Sequence, residues 1–565
     1  MNRWMNRRWV VGLAALLWLL ALPGRAADAS PPRPLASTSW LRAQLGRPDL
    51  VVVDASPAPM HRQRHIPGAV PSTLFTFGPA DVPVAEVERH LQAWGVGPGH
   101  RIVLYDQGGA YMAARLFWDL VHHGLPADRL MILDGGLSKW IADGGAVTAE
   151  PTAKPAPGSI RLGGLEADVR VRLPEFLAAL ADPSANVALD ALSPSYYYGG
   201  AAFFHRAGHT PHARLMPSED FYNADKTFKP AAELQRMLDH LGIRREQQVL
   251  AYCGGGGAAA VPFFALRYLL GYPRVKLFQE SQMGWLADRR ELPVWTYGDP
   301  HLLRESPWLK AWSNPMLKAF GHSKLSIVDV RPAEAFRLGH VPAAVNLPAA
   351  EIERHRPQPE ALAASLVQAG VDPSHEALVV SDGGLNAASA MAFLMLEHLG
   401  QPQVSIFLDS LERWAELGHE VARPAPAGAS STAPTAAPAG TASPNTPTQR
   451  PVPAAPAAGA RTARLVTGPV PPAGTQAVVY LASGPQPLAR APQGRVLHLP
   501  AAQFLEAGGR PKPAKDIWNL LAQAGVPRYA SLVLVADEPG DAAINYVILR
   551  LMGFPDVRVW APSAR

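Results

Sequence analysis

Val249-Leu250-Ala251-Tyr252-Cys253-Gly254-Gly255-Gly256-Gly257-Ala258-Ala259-Ala260 joins an apolar run to a turn of four glycines and then to a second apolar stretch. Read as strand, tight turn and helix, it decides the fold, because the same order returns three more times. Ile102-Val103-Leu104-Tyr105 leads to Asp106 and Gln107-Gly108-Gly109-Ala110. Leu378-Val379-Val380-Ser381 leads to Asp382-Gly383-Gly384, and Leu532-Val533-Leu534-Val535-Ala536 to Asp537-Glu538-Pro539-Gly540. Asp106 to Gly124, Cys253 to Gly271 and Asp382 to Gly400 are each 18 positions, and Asp537 to Gly553 is 16. After each glycine comes another strand-like run, and in the first three copies a tryptophan follows, at Trp140, Trp285 and Trp414. Such alternation implies α/β units with small parallel sheets flanked by helices, four in tandem.

Cys253 is the one cysteine in 565 residues. Glycines let the backbone fold closely over a sulfur, and a loop opening a helix turns N–H groups inward toward an anion. This reading expects an exposed, nucleophilic thiolate, against the plainer alternative of a buried cysteine acting as a small hydrophobe. One cysteine makes no internal disulfide. One cysteine and scattered histidines also give no ligand set at zinc spacing, so neither metal nor cofactor is expected.

Arg3, Arg7 and Arg8 precede an apolar stretch from Trp9 to Leu22, with small residues near Ala26. This reads as a signal peptide over 1–26, too short for a membrane span, and implies a periplasmic or secreted protein with no stable membrane insertion after cleavage. The chain carries +5, and residues 1–26 hold four arginines and no acid, so the remainder is +1. Near-neutrality offers no electrostatic case for nucleic acid as a partner. The expected domains are 34–150, 159–298, 306–422 and 462–565, with a Pro/Ala/Thr-rich linker over 423–461.

The motifs together resemble tandem rhodanese (sulfurtransferase) domains. Ser37-Thr38-Ser39-Trp40-Leu41 resembles the start of the amino-terminal half of two-domain members. The signature turn is matched by Arg64-His65-Ile66-Pro67-Gly68-Ala69, Gly208-His209-Thr210-Pro211-His212-Ala213 and Gly339-His340-Val341-Pro342-Ala343-Ala344. Leu133-Asp134-Gly135-Gly136-Leu137-Ser138-Lys139-Trp140 matches the closing motif. The resemblance implies a silent first domain with Asp106, a catalytic second domain with Cys253, and silent third and degenerate fourth domains with Asp382 and Asp537. It also implies the chemistry. Cys253 takes sulfur from a small donor of the thiosulfate or 3-mercaptopyruvate type, becomes a persulfide, and passes the sulfur to a thiol or cyanide-like acceptor. The persulfide is to rest on the loop Gly254, Gly255, Gly256, Gly257, Ala258 and Ala259.

Departures from the family pattern bear on the donor. The loop lacks the basic residue typical of thiosulfate users. Gly255 stands where mercaptopyruvate users carry a serine that meets a His and an Asp, the positions matched by His65 and Asp54. Arg206 is the candidate for gripping an anionic donor, against a solvated surface charge. For Asp54, Asp190 and Asp329, and for His65, His209 and His340, the plainer reading is turn-fixing. Ala259 replaces the arginine that a phosphatase of this fold would need. The rival reading is a binding scaffold or sulfur carrier with little turnover, in which the separately tethered fourth domain docks a protein partner.

Overall fold

The computed structural model describes residues 34–72, 74, 78, 81–313, 324–423, 464–468 and 477–560. The expected signal peptide, and all of the expected linker but Arg423, lie outside the described residues. Among the described residues there are four five-stranded parallel sheets. The first holds β1 (Leu35–Ala36), β2 (Leu50–Asp54), β3 (Val70–Pro71), β4 (Arg101–Tyr105) and β5 (Leu130–Leu133), in the order β1-β5-β4-β2-β3. The second holds β6 (Arg170–Val171), β7 (Asn186–Asp190), β8 (Arg214–Leu215), β9 (Gln248–Tyr252) and β10 (Val275–Phe278). The third holds β11 (Leu303–Arg304), β12 (Leu325–Asp329), β13 (Ala344–Asn346), β14 (Glu376–Val380) and β15 (Gln403–Phe407). The fourth holds β16 (Leu465–Val466), β17 (Val478–Ala482), β18 (Arg495–His498), β19 (Ser531–Val535) and β20 (Val557–Trp560). All four sheets share one strand order.

In each sheet the fourth strand lies at the centre, paired with the second on one side and the fifth on the other. Its residues are apolar and buried on both faces, as a covered parallel sheet demands. The chain leaves its carboxyl end through the key turn and enters a helix: α1 (Met112–His122), α2 (Ala260–Phe264), α3 (Ala387–His398) or α4 (Pro539–Leu551). A π-helical turn, Ala265–Leu269, prolongs α2. The aligned glycines close these stretches in the left-handed region, at φ 91° for Gly124, 68° for Gly271, 91° for Gly400 and 85° for Gly553. The three tryptophans are buried, and each indole N–H donates to a carbonyl further along: Ala146, Pro293 and Glu420.

The described residues up to Val169, with Tyr222–Phe228, make one compact unit; Arg170–Phe221 and the residues from Lys229 on, with Gly78, make another. In the second unit a continuous core runs through three sheets and includes Phe176, Trp285, Val328, Phe393 and Ile548. α3 and α4 pack on each other, and Glu397 of α3 meets Tyr546 and Arg550 of α4. The fourth domain also meets the second. Tyr198 Oη donates to Met552 O at 2.9 Å, and Asp220 accepts from Arg528 and from Tyr529 Oη. The apolar helix of the fourth domain is therefore packed inside the chain, and detaching it would bare that core.

One small loop occurs twice. Asn223 N–H donates to Thr227 O and Lys229 N–H to Phe221 O; Glu506 N–H donates to Arg510 O and Lys512 N–H to Phe504 O. Lys226 (φ 72°) and Gly509 (φ 74°) take the same left-handed place. The first copy covers the Asp106 turn, with Tyr222 Oη on Ala110 O and Phe228 N–H on Asp134. The second covers the Asp382 turn, with Leu385 N–H on Gly509 O and Arg510 on Asp409. The loop around Lys226 and the loop around Gly509 thus cap a turn in the same way.

Candidate active site

β9 delivers Cys253 to the carboxyl end of its sheet, beside the point where strand order reverses, the usual position for sites in open α/β sheets. Backbone bonds hold the turn from several sides. Gln282 N–H donates to Cys253 O, Met283 N–H to Gly254 O and Gly78 N–H to Gly255 O, each at 3.0 Å. Gly256, at φ 85°, donates its N–H to Cys253 Sγ at 3.2 Å. The sulfur therefore already sits on one of the loop amides expected to stabilise a thiolate or persulfide.

The expectation of an exposed sulfur is not met. Cys253 is 2% exposed, and the four glycines after it are buried. The Phe203 ring lies against the loop: a Cβ on Gly254 would stand 3.3 Å from it.

Ser281 is the residue the sequence reading missed. Fully buried, it accepts the Cys253 N–H at 3.0 Å and donates to Phe278 O at 2.8 Å, with its Oγ 4.0 Å from Cys253 Sγ. It holds φ 50°, a region costly for a residue with a side chain. The corresponding position of the first domain is Gly136, at φ 57°. Aligning Leu133-Asp134-Gly135-Gly136 on Phe278-Gln279-Glu280-Ser281 would have revealed a serine placed in a glycine's backbone conformation.

The other candidates are engaged locally. Arg206, half-buried, donates from Nη1 to Leu292 O at 2.9 Å. Within its own unit, Asp54 accepts Ser56 N–H and pairs with His61 Nδ1, both at 2.9 Å. His65 bonds His61 O through Nδ1 and Thr152 Oγ1 through Nε2. Asp54 and His65 thus have separate partners rather than each other. The same turn geometry recurs around His209, stacked on Tyr197 and bonded to its carbonyl, and around His340, stacked on Phe336 and bonded to its carbonyl.

Directly behind the cysteine the electrostatics differ from those of the sister domains. Asp329 has Arg331 at 2.6 Å and Asp54 has His61 at 2.9 Å; Leu192 stands beside Asp190 at the place of Arg331, and Tyr197 at the place of His61. Leu192 N–H donates to Asp190 Oδ1, and the Tyr252 hydroxyl lies beside the carboxyl. Burial pushes the Asp190 pKa up to about 7, opposed by the Leu192 N–H and the Tyr252 hydroxyl. Burial of the neighbouring His209 imidazole pushes its pKa down to about 3.

The silent turns are silent in different ways. In the first domain the buried Asp106 carboxyl accepts the N–H groups of Gly108 (2.8 Å) and Ala113 (3.0 Å), so the turn is filled by its own side chain. In the third, Asp382 is exposed, and Asn386 braces the turn through Ser381 Oγ and Gly383 O. Among the described residues no group of three or more His, Cys, Asp or Glu is placed to hold a metal ion.

Four α/β domains share one topology, and one of them presents a cysteine on an amide-lined turn. The profile of the rhodanese-like domain matches residues 37–143 and 314–417, which contain Asp106 and Asp382. A probable 3-mercaptopyruvate sulfurtransferase of Pseudomonas aeruginosa is 32% identical over 283 residues, covering 46% of this chain and 98% of that protein. The sulfur carrier protein TtuD of Thermus thermophilus is 28% identical, covering 45% and 94%. A thiosulfate sulfurtransferase of Pseudomonas aeruginosa is 29% identical, again covering 45% and 94%. The chain belongs to the rhodanese family.

Proposed function

We propose that the protein is a sulfurtransferase working through a Cys253 persulfide. The observation that carries this reading is the Gly256 N–H on Cys253 Sγ, at the end of a central strand and above the Ser281 hydroxyl. With thiosulfate, the thiolate attacks the outer sulfur, the S–S bond of the donor breaks, and sulfite leaves with the electron pair. With 3-mercaptopyruvate, the C–S bond breaks, and the donor thiol's proton ends on the carbon of pyruvate. In either case an acceptor thiolate then attacks the outer persulfide sulfur, takes it as a new persulfide and returns the Cys253 thiolate. The relatives include proteins named for each donor, and the loop departs from both patterns, lacking the basic residue of the one and, at Gly255, the serine of the other.

Steady-state kinetics with each donor against dithiothreitol is the test. Ping-pong patterns that vanish in Cys253→Ser support the reading, and turnover surviving that substitution overturns it. The near-complete burial of the sulfur favours one second reading, a sulfur carrier of slow turnover. A persulfide that forms yet discharges only to a protein acceptor would select it. Export is part of the proposal, supported by the basic and then apolar leader of the sequence, and processing near Ala26 in a secreting host tests it.

A further inference from the structure

Beside the Cys253 turn lies an aromatic pair to which neither the sequence reading nor the proposed chemistry assigns a role. Phe203 is 54% exposed, yet its ring is stacked face to face on Tyr196, with centroids 4.1 Å apart and planes within 2°. The ring lies close against Gly254, where a Cβ would stand 3.3 Å from it. An exposed aromatic is ordinarily mobile; this one is held at both ends of its segment. On one side Tyr198 donates to Met552 O and stacks on Trp518 of the fourth domain, and Gly200 lies against Lys515. On the other, Arg206 is bonded to Leu292 O and Gly208 O accepts from Gln282, the residue after Ser281. The exposed surface beside Gly254, the residue after the cysteine, thus carries a flat apolar ring, and the loop itself has no cationic side chain.

Resting on the sulfurtransferase reading, we infer that Phe203, backed by Tyr196, is a specificity-determining residue. It selects acceptors that carry a flat, apolar group next to the sulfur-accepting thiol. A ring stacked on Phe203 brings its thiolate toward the outer sulfur of the persulfide. The thiolate forms the new S–S bond, the Cys253–S bond breaks, and the electron pair returns to Cys253. A small hydrophilic thiol gains nothing from the ring and has to pass it. An aromatic contact of this kind is worth about tenfold in rate or affinity.

The experiment loads the full-length protein with sulfur from 3-mercaptopyruvate or thiosulfate, confirms the persulfide by intact mass, and measures its discharge by thiophenol and by 2-mercaptoethanol. The ratio of the two second-order rates is compared between wild type, Phe203→Ala, Phe203→Leu and Phe203→Tyr, so intrinsic thiol reactivity cancels. The expected result is a preference for thiophenol that falls about tenfold in the alanine and leucine variants and persists in the tyrosine variant. A loaded protein whose ratio is unchanged within about twofold in Phe203→Ala overturns the inference while leaving sulfur transfer standing. Failure of the wild type to gain sulfur from either donor overturns the sulfurtransferase reading, and the inference with it.

Discussion

Replacing Asp190 by asparagine should make the second domain more stable above neutral pH and less sensitive to pH. Asp190 is fully buried at the end of β7 and lacks the arginine that stands beside Asp329. Its carboxyl titrates at about 7 in the folded protein against 3.8 in its ordinary state. A raised carboxyl pKa means that the folded state holds the proton more tightly. The stability contribution is therefore complete below pH 3.8 and is lost as pH rises through 7. Each pH unit in that interval corresponds to about 1.4 kcal/mol, so the ionised carboxylate costs the fold about 4 kcal/mol above pH 8, of which about 3 kcal/mol develops between pH 5 and 8. The asparagine amide keeps the shape and carries no charge. Hydrogen exchange of peptides covering 186–192 and 248–253, corrected for intrinsic exchange, reads the opening free energy locally. Wild type should lose about 3 kcal/mol of protection free energy across that range relative to Asp190→Asn. Parallel pH profiles for the two proteins would refute the reasoning.

The acid side should show the opposite sign: His209, depressed to about 3, costs stability as pH falls below 6.5, and His209→Gln should flatten that limb in the same exchange experiment. Ser281→Ala and Ser281→Gly should each slow persulfide formation about tenfold by removing the acceptor of the Cys253 N–H, with the glycine variant the more stable by about 1 kcal/mol because φ is 50° there, read from stopped-flow loading and urea midpoints. Arg550→Ala should loosen the contact of α3 with α4, costing about 2 kcal/mol for a largely buried pair with Glu397, and deletion of 464–565 should yield an aggregating protein rather than a trimmed soluble one, checked by light scattering. Asp106→Ala should lower stability by about 1–2 kcal/mol through two unsatisfied backbone N–H groups, measured by urea unfolding, while sulfur transfer persists.

The repeated fold was legible in the sequence because each copy carries its own local signals: a buried apolar strand, a small-residue turn, and a glycine that must end the helix left-handed. These act within a short stretch of chain and need no long-range knowledge. What escaped depends on contacts between distant segments. The ring against Gly254 comes from Phe203, 51 positions earlier, and the support beneath Cys253 from Ser281, 28 later. The docking of the fourth domain was hidden for a similar reason. The apolar run of α4 reads as an ordinary core helix, and nothing local says that one of its faces meets α3. Asp190 shows the converse case: its strand-end position was visible, but the absence of a countercharge is a property of Leu192 two residues on, which only comparison of the copies exposes.

Intact-mass measurement of the protein after exposure to each donor bears most directly on the role of Cys253. The account predicts a gain of one sulfur atom in wild type, absent in Cys253→Ala and discharged by cyanide or a thiol. A folded wild-type protein with a free thiol and no added sulfur from either donor would contradict it.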